Sequence, residues 1–171
     1  PAPRLILFPE EFHLPKRLGR TIRKKIFEVR ADTAFVDVIA SCASIRKESG
    51  EGTWITEDMQ NAYNHLHEQG FAHSLECWFE GELVGGLYGI CLDRIFFGES
   101  MFSRKSDASK VALAGLIQHA EQLGIRAIDC QMTTAHLLRF GSREMKRQEF
   151  LELLEQFIQR IAPQDSWRIT V

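Results

Sequence analysis

The sequence contains no apolar run long enough to span a bilayer and no segment that resembles a signal peptide. Its four cysteines, Cys42, Cys77, Cys91 and Cys130, lie far apart, without a C-x-x-C pair or a Cys/His cluster at zinc spacing. This pattern favours reduced thiols in a cytoplasmic protein over a disulfide framework or a metal site. A strong charge of one sign is lacking too. The formal net charge of −2 argues against wholesale coating of a nucleic acid, although a local basic patch can still act.

Length and composition predict one soluble domain over residues 1–171. Hydrophobic residues make up 44% of the sequence and charged residues 26%, which is ordinary for a globular domain and sufficient for a core. The sequence begins with Pro1 rather than Met, so we expect a trimmed or processed chain.

Apolar periodicity and turn signals predict an α+β domain in which helices flank a mixed β-sheet. Strands are expected at residues 4–8, 26–30, 71–79, 83–93, 94–102 and 126–131, the third to fifth forming an antiparallel meander. A helix is expected at residues 16–25, and four more are expected to follow the start signals at Asp32-Thr33, Thr56, 103–110 and Thr133-Thr134. A last helix is expected in the segment whose apolar face includes Phe150 and Ile161 and which is broken at Pro163. The tail at 167–171 is expected to be an edge strand or disordered.

Three glycines, Gly85, Gly86 and Gly89, lie inside the second strand of the meander. Glycine weakens a strand interior, so these residues indicate a β-bulge or a place where something approaches the backbone closely.

The segment K-R-L-G-R-T-I-R-K-K at residues 16–25 is strongly basic. On a helix, Leu18 and Ile22 share one side, and the cations cover the rest of the surface. Such a helix is either a solvated face or a contact for a phosphate backbone, which Lys and Arg bind without reading sequence. The cations are Lys16, Arg17, Arg20, Arg23, Lys24 and Lys25.

A second basic segment, S-R-K-S-D-A-S-K at residues 103–110, opens a helix. Free backbone N–H groups and the positive end of the helix dipole, beside Arg104, Lys105 and Lys110, make it a candidate phosphate site. The alternative is a helix start capped by Ser or Asp, with incidental basic residues.

Residues 96–131 place several polar groups where the apolar pattern predicts elements that face inward. Glu99 lies in one predicted strand. Asp129 and Gln131 lie two residues apart in another, so we expect both side chains on the same side of the sheet. We take this stretch as the candidate site, and the alternative is a buried Asp and Gln that brace a turn.

Trp54 follows a glycine loop and precedes the helix start at Thr56. It either packs onto that helix as a staple or forms an exposed stacking platform. His65 and His67 are two residues apart on the same helix and point to different faces, which is wrong for a shared metal. We interpret them as surface histidines.

The order of helices, meander, helix and strand resembles the core of the GNAT acyltransferases, in which the turn before the central helix holds the phosphates of the acyl donor. The GNAT signature Q/R-x-x-G-x-G/A is missing from the matching turn at residues 103–110. This absence counts against a GNAT-type N-acetyltransferase that uses acetyl-CoA, which is kept as an alternative that a titration with coenzyme A would test.

A more specific pattern is carried by the strings E-G-T-W-I-T (51–56), L-H-E-Q-G-F-A-H-S (66–74), G-E-L-V-G-G-L-Y-G (81–89), F-F-G-E-S-M-F-S-R (96–104), D-A-S-K (107–110) and I-D-C-Q (128–131). In this order they resemble the leucyl/phenylalanyl-tRNA–protein transferase family over nearly the whole sequence. Family members join a GNAT-like catalytic domain to a small N-terminal domain that precedes a W-W-S-P-D-P-R motif. Because this sequence starts at P-A-P-R, we expect the catalytic domain without that smaller domain.

The resemblance implies an enzyme that transfers Leu, Phe or, less readily, Met from aminoacyl-tRNA to proteins that begin with Arg or Lys, which marks them for degradation. Aminolysis of the ester is downhill and needs a neutral amine at the carbonyl. Because an α-amino group has a pKa of about 8, a modest proton acceptor suffices. We expect no cofactor, metal or membrane to take part. A non-catalytic RNA-binding domain is the remaining alternative.

The resemblance also assigns roles to residues. In the family, the positions that match Asp129 and Gln131 are assigned as a relay in which the glutamine accepts a proton from the amine. Because a neutral amide is a very weak base, we expect Gln131 instead to orient the amine through its carbonyl oxygen, and Asp129 to fix that amide and stabilise positive charge on the nucleophile. Glu99 is expected to receive the basic N-terminal side chain of the acceptor. The apolar pocket for the donor side chain is expected to consist of Trp54, Leu87, Phe96, Met101, Leu113, Leu116 and Ile128.

Overall fold

The computed structural model describes residues 3–169, which form six α-helices, a short 3-10 helix at Pro9–Glu11 and seven strands. The strands are β1 (Arg4–Leu7), β2 (Glu28–Ala31), β3 (Ala72–Phe79), β4 (Glu82–Leu92), β5 (Ile95–Ser103), β6 (Ala127–Gln131) and β7 (Arg143–Met145). The helices are α1 (Lys16–Arg23), α2 (Phe35–Glu48), α3 (Glu57–Glu68), α4 (Ala108–Gln118), α5 (Ala135–Arg139) and α6 (Arg147–Phe157). The predicted α+β class is confirmed.

All seven strands join one mixed sheet in the order β2-β3-β4-β5-β6-β1-β7. The β5–β6 pair is parallel, and every other pair is antiparallel. β5 is in register with β6 only at Ile95, Phe96 and Phe97, yet it continues beside β4 as far as Ser103. β6 in turn continues beside β1 as far as Gln131. The two halves of the sheet therefore part beyond Phe97.

Helices cover both faces of this sheet. On one face, α4 packs its buried side chains, among them Leu113 and Leu116, against β3, β4 and β5. On the other face, α2 and α3 enclose a cluster that includes Val38, Tyr63 and Tyr88. A smaller cluster lies under α6 and includes Leu153. No helix in residues 3–169 is long and apolar enough to cross a membrane.

The glycines of β4 mark both of the features predicted for them. The register between β4 and β5 shifts between Tyr88 and Gly89, which is a β-bulge. At Gly85, an added Cβ atom would lie 2.5 Å from the Cβ atom of Ala108 in the first turn of α4. Glycine at this position therefore lets α4 dock directly on the strand.

Three sequence predictions differ from the structure near the C-terminus. The short strand β7 was not predicted, because R-E-M has no apolar alternation. α6 ends at Phe157 instead of continuing past Ile161, since the backbone N–H groups of residues 159 and 160 donate to Asp93. The tail was predicted to be an edge strand or disordered. Over residues 167–169 it is neither, because the chain there forms no strand and Trp167 is buried. Residues 170 and 171 lie outside the described range.

Candidate active site

Asp129 lies at the point where β5 and β6 part, and its side chain is completely buried. Its Oδ2 atom accepts a hydrogen bond from the Nη2 atom of Arg4, which forms an ion pair across β1 and β6. Its Oδ1 atom accepts the backbone N–H of Gln131 at 2.8 Å. Both carboxylate oxygens are therefore occupied, as a buried charge requires.

Gln131 ends β6 in the left-handed region of backbone space, with φ = 64°. Its side-chain Nε2 donates to the Gly98 carbonyl oxygen at 2.7 Å and so bridges the gap between the two strands. Because a carbonyl can only accept, this contact fixes which end of the amide is nitrogen and leaves Oε1 as its acceptor. The expected contact of Asp129 with the Gln131 amide is replaced by a contact with the Gln131 backbone.

Glu99 is the residue that the β-bulge adds to β5, since Tyr88 faces Ser100 and Gly89 faces Gly98. It is half-buried and lies within hydrogen-bonding reach of the Tyr63 hydroxyl and the Gln131 amide. Burial raises the pKa of Glu99 above its ordinary value. The two hydrogen bonds oppose that rise, the Asp129 charge adds to it, and Arg4 lowers the pKa. Glu99, Asp129 and Gln131 therefore form one cluster.

Two further residues of this cluster, Arg4 and Tyr63, were missed by sequence reasoning. Burial, followed by the charge of Glu99, raises the pKa of Tyr63, so that its hydroxyl is a donor at neutral pH. Arg4 begins an otherwise apolar strand, R-L-I-L. The sequence did indicate that such a cation is needed, because a carboxylate that is predicted to be buried, such as that of Asp129, requires a cationic partner.

The seven residues predicted for the donor pocket divide into two groups. Leu87, Phe96, Leu113, Leu116 and Ile128 are buried together in the cluster beneath α4. Trp54 and Met101 are 41% and 43% exposed. The Trp54 ring meets the Tyr63 ring edge-on at 6.4 Å, so Trp54 packs on α3 and also presents an exposed surface. Met101 lies opposite Leu87 in the β4–β5 register.

Two surface cavities lie away from these residues. One, of about 530 Å³, lies between residues 28–33 and residues 166–169. The other, of about 480 Å³, lies between the end of α1 and α4 and is lined by residues that include Ile22, Phe27 and Val111. Neither is lined by Glu99, Asp129, Gln131 or a predicted donor-pocket residue, although Lys25 of the basic segment lines the second.

The basic residues predicted to contact tRNA also divide into two groups. The six cations at residues 16–25 are all exposed, and none forms an ion pair with another described residue. The helix is shorter than predicted, since α1 ends at Arg23 and Lys25 has φ = 52°. Lys16, Arg17, Arg20, Arg23, Lys24 and Lys25 thus form a solvated cationic surface, which we call the α1 surface.

In the turn at residues 103–110, each predicted cation already has a partner. Arg104 donates to the Ser44 hydroxyl at 3.0 Å and lies 3.8 Å from the Glu48 carboxylate. The Nζ atom of Lys105 lies 4.0 Å from the ring centroid of Phe79. The Nζ atom of Lys110 lies 3.4 Å from the Asp107 carboxylate. These contacts leave the turn with less free positive charge than its sequence indicates.

The backbone donors at the start of α4 are occupied as well. The N–H of Ala108 donates to the Lys105 carbonyl at 3.1 Å, and the N–H of Ser109 donates to the Ser103 hydroxyl at 3.2 Å. A pyrophosphate would need these donors. The turn therefore does not fit the phosphates of coenzyme A.

The two helix histidines have different environments. His65 is exposed, as predicted, whereas His67 is partly buried and its ring stacks on Phe35 at 4.2 Å. The interpretation of His67 as a surface residue was wrong, because the side of α3 that carries it faces α2. Residues 3–169 contain no group of three or more His, Cys, Asp or Glu side chains placed to hold a metal.

Comparison with solved structures defines the fold. The fold matches FemX with a TM-score of 0.65 at 13% identity, over 93% of this chain and 64% of FemX. It also matches the GCN5-related glucosamine N-acetyltransferase region of a fungal multi-domain β-N-acetylglucosaminidase, with a TM-score of 0.52 at 10% identity, over 84% of this chain and 20% of that one. The chain therefore has a GNAT-like fold, as its sequence predicted.

Sequence comparison identifies the family within this fold. The model of the leucyl/phenylalanyl-tRNA protein transferase family matches residues 6–155. Relatives named leucyl/phenylalanyl-tRNA–protein transferase occur in Aromatoleum aromaticum, with 61% identity over 150 residues, and in Syntrophobacter fumaroxidans, with 52% identity over 167 residues. The chain belongs to the leucyl/phenylalanyl-tRNA protein transferase family, a family of aminoacyltransferases.

These two alignments cover 88% and 98% of this chain. They cover 63% of the Aromatoleum relative and 71% of the Syntrophobacter relative. The chain thus spans roughly two thirds of the length of the relatives that it matches.

Proposed function

We propose that this protein transfers Leu or Phe, and less readily Met, from aminoacyl-tRNA to the α-amino group of proteins that begin with Arg or Lys, which marks them for degradation. The observation that carries the proposal is the meeting of Glu99, Asp129 and Gln131 where β5 and β6 part. Family membership supports the same reaction. Aminoacyl-tRNA is a cytoplasmic substrate, so we place the protein in the cytoplasm.

The reaction is the aminolysis of an ester. The acceptor amine attacks the carbonyl carbon of the aminoacyl group, a C–N bond forms, and the C–O bond to the tRNA ribose breaks. The proton lost by the amine ends on the departing ribose oxygen. Since the amine has a pKa of about 8, holding its neutral form in line with the carbonyl is the main task of the protein.

Gln131 is suited to this positioning role. Its Nε2 atom is held by the Gly98 carbonyl, and its Oε1 atom is left to accept a hydrogen bond from the amine. A neutral amide is too weak a base to remove the proton fully, so Gln131 orients the nucleophile. Asp129 supports this role through the Gln131 backbone and adds negative charge near the developing ammonium.

Glu99 is suited to reading the first residue of the acceptor. A guanidinium or ammonium group bound beside Glu99 would form a charge-assisted hydrogen bond in a partly desolvated place, where such bonds are strongest. Because Glu99 and Gln131 are hydrogen-bonded neighbours, the acceptor's side chain and its α-amine would bind at adjacent points.

The donor would be bound in two parts. The apolar residues beneath α4, with the exposed Met101 opposite Leu87 on the same face of the sheet, would hold its Leu or Phe side chain, and such a pocket discriminates weakly between related side chains. Trp54 packs on α3 at the other face of the sheet and lies outside this pocket. The α1 surface would contact the phosphate backbone of the tRNA, with Arg104, Lys105 and Lys110 as weaker contacts.

The proposal is tested by following transfer of labelled Leu from Leu-tRNA to a peptide that begins with Arg. We expect Asp129→Ala and Gln131→Ala each to lose about 2–4 kcal/mol of transition-state stabilisation, a rate loss of roughly thirtyfold to a thousandfold. Gln148→Ala, an exposed glutamine on α6, is the control and should keep the wild-type rate. Near-full activity in either site variant would refute the catalytic assignment, and release of CoA from acetyl-CoA would favour an acetyltransferase instead.

A further inference from the structure

We infer that Arg4 is a positioning residue for aminoacyl transfer, because it holds Asp129 and, through Asp129, the backbone of Gln131. This inference rests on the proposed function and extends its catalytic pair to a third element, the strand β1.

The first step of the argument is the burial of Asp129. A carboxylate without solvent exposure is costly unless it is paired and hydrogen-bonded. The described contacts of its two oxygens come from two places: Arg4 in β1 reaches Oδ2, and the Gln131 backbone reaches Oδ1. Without Arg4, the described partner left to the buried Asp129 carboxylate would be the backbone N–H of Gln131, the residue that Asp129 itself positions.

The second step is the backbone of Gln131. A residue other than glycine with φ = 64° is uncommon and needs support from its surroundings. The 2.8 Å hydrogen bond from the Gln131 N–H to Asp129 Oδ1 supplies that support. This conformation then directs the amide of Gln131 to the Gly98 carbonyl. The position of the amide therefore depends on the position of the Asp129 carboxylate.

The third step is that Arg4 is itself held. β1 lies between β6 and β7, with Arg4 opposite Met145 and Leu5 opposite Gln131. The Arg4 guanidinium also lies over the ring of Phe150 in α6, with 5.3 Å between its Cζ atom and the ring centroid. A planar guanidinium can stack and donate at once, whereas a lysine ammonium supplies the charge without that geometry. The contributions of the positive charge of Arg4 and of the orientation of its guanidinium can therefore be tested separately.

The experiment compares Arg4→Gln, Arg4→Lys and a matched control, Arg143→Gln. Arg143 lies in the neighbouring strand β7, has a ring beneath it (Phe8) and a carboxylate partner (Glu11), but is exposed and outside the cluster. We expect Arg4→Gln to lower kcat roughly a hundredfold, as misplacement of a reacting group does, with KM for both substrates near the wild-type value. Arg4→Lys should recover part of this loss, and Arg143→Gln should match wild type.

A pH profile supplies a readout that a purely structural role would not change. The groups that face Glu99 are Tyr63 from α3, Tyr88 from β4, Asp129 and Gln131 from β6, and Arg4 from β1. The positive charge of Arg4 lowers the pKa of Glu99, so its removal raises that pKa. The acidic limb of the ratio of kcat/KM for an Arg-starting peptide to that for an Ala-starting peptide, in which the titration of the acceptor amine cancels, should therefore move to higher pH in Arg4→Gln and stay near its wild-type position in Arg4→Lys.

The outcomes separate this inference from the proposed function. Wild-type kcat and an unmoved acidic limb in Arg4→Gln, alongside inactive Asp129→Ala and Gln131→Ala, would overturn the role of Arg4 and leave the proposed function intact. An equal loss in Arg4→Gln and Arg4→Lys, with no shift of the acidic limb and a lowered Tm, would overturn it in favour of a purely structural role. Full activity of Asp129→Ala and Gln131→Ala would overturn the proposed function itself.

Discussion

The carboxyl group of Glu99 is ionised less readily than that of an exposed glutamate, since burial raises its pKa. A cationic acceptor side chain requires the ionised form. As the pH falls through this raised pKa, the charge that recognises Arg or Lys is lost, and it is lost at a higher pH than for an ordinary glutamate. An Ala-starting peptide presents no cation and does not depend on this charge.

Glu99→Gln should therefore lower the ratio of kcat/KM for an Arg-starting peptide to that for an Ala-starting peptide. The loss of a charge-assisted hydrogen bond is worth about 1.5–3 kcal/mol, or roughly tenfold to a hundredfold. In the wild type the ratio should fall as the pH is lowered, and the fall should begin at higher pH than the titration of an ordinary glutamate, while in Glu99→Gln the ratio should be flat. Using the ratio removes the titration of the acceptor amine, which both peptides share.

The control for this experiment is Glu82→Gln, an exposed carboxylate at the start of β4. It should leave both the ratio and its pH dependence unchanged. A wild-type ratio that does not vary with pH, or an unchanged ratio in Glu99→Gln, would move acceptor recognition to another residue.

At the residue scale, the sequence predicted the polar centre of the candidate site but not its support. Glu99, Asp129 and Gln131 stood out because polar residues interrupted segments with a buried pattern. The partnership of Arg4 with Asp129 spans 125 residues of sequence. Strand alternation also could not show that Glu99 is a bulge residue, because a bulge depends on the pairing of β5 with β4.

At the element scale, helix starts were more predictable than helix ends. Thr56 caps α3 by accepting the Met59 N–H at 3.3 Å, and Thr134 caps α5 by accepting the Leu137 N–H at 3.3 Å. Both caps are local in sequence. The end of α6 depends instead on Asp93, which lies 66 residues before Gln159, the residue whose N–H it accepts. A distant acceptor of this kind leaves no local signal.

The helix α1 carries its cations to solvent, and this distinguishes it from the turn at residues 103–110, whose three cations are paired. Charges that are already paired gain less from a phosphate, because the existing contact must be lost first. We therefore expect binding of Phe-tRNA to depend more on the α1 surface than on that turn. The apolar pocket reads the amino acid separately, so the donor preference should not change.

The test is a salt series of Phe-tRNA affinity for wild type and for Arg20, Arg23 and Lys24 changed together to Ala. The slope of log affinity against log salt should decrease by roughly one unit for each lost phosphate contact, and KM for aminoacyl-tRNA should rise. The matched control, Arg104, Lys105 and Lys110 changed together to Ala, should reduce the slope by less. Equal slopes for wild type and the first variant would show that α1 is only a solvated face.

At the scale of the whole molecule, the C-terminal tail joins parts of the chain that are far apart in sequence. Gln164 donates its backbone N–H to the Gly70 carbonyl at 2.9 Å, and Trp167 donates its own to Asp32 at 2.6 Å. The Trp167 ring stacks on His73 at 4.1 Å and lies 5.6 Å from the Phe96 ring. Local pattern predicted an edge strand or disorder here, because W-R-I-T-V shows neither its acceptor nor its stacking partner.

Trp167→Ala should accordingly lower the free energy of unfolding by about 3–5 kcal/mol, since it removes an indole that is only 5% exposed from the cluster that contains Phe96. Trp167→Phe, which keeps a ring on His73 but loses the hydrogen bond from Nε1 to Gln164, should lose less. Urea unfolding measures both, with the exposed neighbour Arg168→Ala as the control that should stay within about 0.5 kcal/mol of wild type. If Trp167→Ala were as stable as this control, the tail would be a surface attachment, and the cluster beneath α4 would be complete without it.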